Sequence, residues 1–169
     1  MKKALLSLLI YFTFAYTYAS EIKLIKIFDG LNKPWSMSFI DDNNVLVTEK
    51  PGNLLILNLK DKTKSPIKHN LSVLEDGQGG LLDVLFHNNN VYVSYSENRG
   101  NWQSSTSVAK GTFNPKNISF KNIFRAEPPI NSGYHFGSRL VIKDNFLFIT
   151  AGERGKGMIA QDPTKHPGS

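Results

Sequence analysis

The chain has 169 residues, enough for one domain with a sizeable core, and it contains no cysteine. Disulfides, thiolate zinc sites and a lipidated N-terminal cysteine are therefore excluded. The formal charge is +6, but its carriers (among them Lys23, Lys26, Lys60, Lys64, Lys116 and Lys121) are scattered along the chain. A nucleic-acid surface would cluster them with stacking aromatics, so nucleic acid is not expected as a partner, and the excess reads as solubility.

Lys2 and Lys3 precede an apolar run at 4–15, followed by Thr17–Tyr18–Ala19 with small residues at both cleavage positions. This is the pattern of a secretory signal peptide over 1–19. The run is too short to span a bilayer comfortably, so no stable membrane span is expected after cleavage. The expectation is a periplasmic or secreted bacterial protein whose mature part is 20–169. Loss of Lys2 and Lys3 leaves 18 basic against 14 acidic residues, a balance of +4.

From there the chain reads as short strands and polar turns. Ile22, Leu24, Ile25 and Ile27 predict a first strand. Residues 31–34 predict a turn, with proline unsuited to a central ladder. Residues 35–39 alternate with period two, and 45–48 are rich in branched side chains. Pro51–Gly52–Asn53 predicts a hairpin into a strand at 54–57, and 60–65 reads as a charged loop. An apolar strand at 80–86, a polar turn at 87–90 and a strand at 91–97 follow. Residues 101–107 read as an exposed loop. Segments 108–113, 118–120 and 123–124 read as outer strands.

The unit "apolar strand, short Asp/Asn turn, apolar strand, glutamate" occurs three times. Phe39, Phe86 and Ile142 hold one equivalent position, 47 and 56 residues apart, and Glu49, Glu97 and Glu153 hold another. Such spacing, with no amphipathic helical period, predicts an all-β chain built as about three blades of a β-propeller. A ring needs about four to eight blades, so three leave a face and strand edges open. The expectation is the N-terminal part of a longer propeller.

Two loops precede the inner strands of the second and third blades. One is Glu75–Asp76–Gly77–Gln78–Gly79–Gly80; the other, 133–139, carries His135. Equivalent loops emerge on one face of a propeller, so Gln78 and His135 are expected to converge there. The glycines around Gln78 suit either a plain turn or close approach of a ligand. A histidine just before a rigid strand is a candidate catalytic group.

The segments KPWSMSF (33–39), GQGGLLDV (77–84) and YHFGSRLV (134–141) resemble the soluble quinoprotein sugar dehydrogenases, the glucose/sorbosone dehydrogenase family that includes periplasmic aldose sugar dehydrogenases. The resemblance runs from about Gly30 to Asp162. It implies a propeller of about six blades, pyrroloquinoline quinone (PQQ) held with calcium, and oxidation of the anomeric hydroxyl of aldoses with electrons passed to an external acceptor. By position, His135 resembles the catalytic base and Gln78 the glutamine at the quinone and substrate pocket. Arg139 is expected to pair with Glu153 or Asp83, and Glu153 falls where some relatives have aspartate. The family's basic quinone contacts and calcium ligands lie mostly on later blades, beyond Ser169, and no metal ligand is assigned here. The isolated chain is therefore expected neither to hold quinone tightly nor to turn over sugar. A non-enzymatic exported propeller binding glycan or protein is the alternative.

Overall fold

The computed structural model describes residues 22–164, so the signal-peptide expectation at 1–19 lies outside the described residues. Eleven strands form three sheets among them. The first sheet contains β1 (Pro34–Phe39), β2 (Asn44–Glu49), β3 (Asn53–Asn58) and β4 (Thr63–His69), paired antiparallel in chain order. The second contains β5 (Leu81–His87), β6 (Asn90–Asn98), β7 (Ser104–Thr112) and β9 (Lys121–Arg125). The third is the hairpin of β10 (Gly137–Lys143) and β11 (Phe146–Ala151). The short β8 (Asn117–Ile118) leaves the second sheet's sequence to pair parallel with β4.

The three repeats of the sequence are the hairpins β1–β2, β5–β6 and β10–β11. Burial alternates along β10 and β11, whereas β2 is buried on both faces and β5 and β6 over most of their length. Leu46, Leu54 and Ile67 from the first sheet meet Leu81, Val84, Val91, Val93 and Tyr95 from the second, sealing the space between neighbouring blades. Val45, Val47, Leu55 and Leu57 point to the other side of the first sheet, where Phe28, Leu31 and Leu59 cover them in part.

Four readings of the sequence change in the structure. Residues 22–27 form no strand; Ile22, Leu24 and Ile25 stand exposed, because an alternating segment without a sheet edge beside it has no ladder to join. The charged loop at 60–65 ends early, since Thr63 already opens β4. Pro66 fits there because β4 bonds to β3 on one side and only to the two residues of β8 on the other. The segment 118–120 is not an outer strand of the second blade. Asn114 folds the chain by accepting from the backbone N–H groups of Lys116 and Asn117, and Ile118 and Phe120 plug the core between blades. Finally, 104–107 is buried strand rather than loop, because each hydroxyl finds a partner: Thr106 donates to the Phe136 carbonyl, Ser107 to Glu97, and Ser105 accepts from Arg99.

Each inner strand carries a register shift near its start, between Pro34 and Ser36, between Leu81 and Val84, and between Gly137 and Leu140. Such bulges re-aim side chains. Here they bring together Trp35 and Ser36, Asp83, and Arg139.

Candidate active site

The two site loops hold each other. The Gln78 amide N–H donates to the Gly133 carbonyl at 2.7 Å, and the Gln78 side-chain Oε1 accepts from the His135 backbone N–H at 2.9 Å. Lys50 reaches over from the first blade to donate to the Gly77 carbonyl at 2.6 Å. Gly77 has φ +53, and a Cβ there would lie 2.5 Å from the Gly133 carbonyl oxygen. The neighbouring loop thus requires a glycine here, a close approach of backbone to protein that the sequence reading did not foresee.

His135 sits at φ +50, a left-handed conformation uncommon for a residue with a side chain. Its ring Nδ1 contacts Glu153 Oε1, and the same oxygen accepts from the Gly155 N–H at 3.2 Å. The hydrogen bond from His135 is the chief cause that holds the Glu153 carboxyl below its ordinary value. An ionised carboxylate only accepts, so Nδ1 is the donor of this contact, and in the neutral tautomer that donates there the lone pair is on Nε2. Gly152 completes the fit, since a Cβ there would run into the His135 carbonyl.

The next residue, Arg154, is 4 % exposed. Its guanidinium donates to the Tyr134 carbonyl (3.0 Å), the Ser104 carbonyl (2.8 Å), the Ser104 hydroxyl (2.9 Å) and the Ser132 carbonyl, and stacks 3.6 Å from the centre of the Phe136 ring. Burial pulls its pKa down to about 10, partly offset by the charge of Asp76. The sequence reading did not single out this residue. The signal available was its place directly after the repeated glutamate, where the first blade has Lys50.

A cleft of about 290 Å³ is lined by Trp35, Gln78, Leu82, His135, Phe136, Gly137 and Ser138. Beside it, buried Asp83 is a hub. It accepts from the Ser36 hydroxyl, the Leu140 N–H at 2.8 Å and Arg139 Nη1 at 3.1 Å, while the Arg139 guanidinium lies 4.5 Å from the Trp35 ring centre. The expected structural pairing of Arg139 is therefore with Asp83, and Glu153 is left for His135.

The donors present suit proton transfer beside a polar substrate: one histidine with an ionised carboxylate behind it and one amide. They do not build a cation site, since no group of three or more His, Asp or Glu side chains converges as metal ligands among the described residues. Arg139 is already engaged with Asp83. The described residues thus fit proton transfer to or from a polar group and supply no set of three carboxylate or imidazole ligands for a cation.

Bladed sheets define a propeller segment, and its third hairpin carries a histidine just before β10 paired with a carboxylate just after β11. The chain belongs to the glucose / sorbosone dehydrogenase family, whose pattern it matches over residues 31–169. It is 33% identical over 150 residues to the aldose sugar dehydrogenase of Escherichia coli, covering 83% of this chain and 40% of that protein. A crystal structure of a glucose dehydrogenase superposes with TM-score 0.78 at 35% identity, over 83% of this chain and 44% of that one. The PQQ-bound form of an aldose sugar dehydrogenase from Streptomyces coelicolor shares the fold, with TM-score 0.73 at 21% identity, over 84% of this chain and 44% of that one. The chain spans under half the length of these relatives. Among the described residues no helix is long and apolar enough to cross a membrane.

Proposed function

We propose that this chain carries the proton-transfer part of a PQQ-dependent sugar dehydrogenase, exported to the periplasm or beyond by a signal peptide at 1–19, which oxidises the anomeric hydroxyl of aldoses. The observation that carries the reading is the pairing of His135 Nδ1 with Glu153, with the His135 backbone held by Gln78 in a cleft. Oxidation of a lactol to a lactone removes a proton from oxygen and a hydride from carbon. His135 takes the hydroxyl proton on Nε2, and Glu153 stabilises the imidazolium that results. The quinone, when bound, supplies the hydride acceptor, and an external acceptor then takes the electrons. Calcium and the contacts to the quinone carboxylates are assigned to residues outside those described. The half-length match to relatives and the two-stranded third sheet support a longer propeller as the working unit.

The test is dye-linked oxidation of an aldose by the complete gene product, with and without added PQQ and calcium. Dye reduction that needs both sugar and quinone supports the reading. Glycan binding without dye reduction under any addition replaces it with a binding module.

A further inference from the structure

We propose that Arg154 is a positioning residue for His135: its guanidinium ties the backbone before the histidine and the Phe136 ring after it to strand β7 and so fixes where the imidazole stands. The inference rests on the proposed role of His135. Left-handed backbone at a residue with a side chain persists only where the surroundings over-determine it. Gln78 Oε1 accepts from the His135 N–H and Glu153 meets its ring, while the residues on either side of it are held by Arg154. Arg154 takes the Tyr134 carbonyl before it, stacks on the Phe136 ring after it, reaches the Ser132 carbonyl further back, and anchors all three to Ser104 on the second blade. Its own backbone N–H donates to the His135 carbonyl at 3.3 Å. Glu153 and Arg154 thus divide the task, the first holding the ring and the second the main chain.

The chemistry selects arginine. Its hydrogen-bond partners among the described residues are neutral oxygens disposed around a plane, which suits a rigid fork of donors and not the point charge of lysine. A buried guanidinium is costly, and the charge of Asp76 offsets that cost only in part; it is retained here where it braces the loop of the base.

The experiment uses the complete gene product with 15N-labelled histidine, because imidazole nitrogen shifts report which ring nitrogen holds the proton. The wild type is expected to show one tautomer at His135, with the proton on Nδ1. Arg154→Lys is expected to give averaged shifts, with kcat down by about 10–100-fold and KM for sugar within about twofold. Arg154→Ala is expected to lose the same signature and to regain part of it, with part of the turnover, when guanidinium ion is added. A single tautomer and full turnover in both folded variants overturn the proposal, as does a wild type with averaged shifts. Loss of the β5–β7 amide pattern in both variants also overturns it, leaving Arg154 a brace of the whole fold. If the wild type oxidises no sugar but its tautomer responds as described, the reaction assignment fails and the positioning stands.

Discussion

Glu49, Glu97 and Glu153 hold one position in three successive blades and show how a single residue type acquires three uses. Glu49 accepts from the Asn32 N–H and the Asn53 amide, closing its blade. Glu97 is bridged by Arg125 at 2.7 and 2.9 Å and by Ser107; burial pushes its carboxyl up, and these partners outweigh that and bring it below its ordinary value. Glu153 faces His135. Removing the charge of Glu97 by Glu97→Gln is expected to cost about 1–3 kcal/mol of stability, read from urea denaturation, since a largely buried charged hydrogen-bond hub is lost. For Glu153 the sign of the pH effect follows from the depressed carboxyl value. The pair's contribution is complete above the ordinary carboxylate value of 4.5 and is lost only as pH falls through the lower folded value. A carboxyl 13C titration is expected to show Glu153 ionised where free glutamate is already half protonated; a midpoint at or above 4.5 contradicts the pairing. The repeat sets the three glutamates at one place in the sequence pattern, at or near the end of the second strand of each hairpin. Their partners were not legible, because Asn53, Arg125 and His135 reach them by different routes: a tight hairpin turn, an outer strand of the same sheet, and the loop before β10.

At the scale of elements, the hairpins that begin each blade were legible because they are apolar, alternating and bounded by Asp/Asn turns. The strands that failed to announce themselves are polar or broken: 104–107 hides in hydroxyls that bond inward, and β4 starts within lysines and contains Pro66. The crossing of Asn117–Ile118 to the first sheet has no local signal, since it depends on a partner edge almost fifty residues earlier. The convergence of Gln78 and His135 was legible from loop equivalence, whereas the tight fit between their loops was not. That fit predicts that Gly77→Ala destabilises the protein by about 2 kcal/mol or more, through both the left-handed backbone and the approach to Gly133. Chemical denaturation measures it, together with weakened quinone or sugar binding as Gln78 shifts. An unchanged midpoint would mean that the loops yield freely.

At the scale of the molecule, the sheets seal one another only where they meet. Met37 and Phe39 stay exposed on the first sheet, and Val141, Phe146 and Phe148 on the third. Repeat arrays without capping units expose apolar faces and lose solubility. Residues 20–169 produced alone are therefore expected to associate or aggregate in analytical ultracentrifugation. A monodisperse monomer with a cooperative melt would show that these faces need no cover.

The central claim is that His135, held by Glu153 and Gln78, is the base of a sugar oxidation. The most direct measurement compares wild type and His135→Ala as complete gene products, with calcium and quinone in excess, in dye-linked aldose oxidation alongside a separate quinone titration. Turnover is expected to fall by about 10²–10⁴-fold while quinone affinity stays the same. Full turnover in His135→Ala would contradict it.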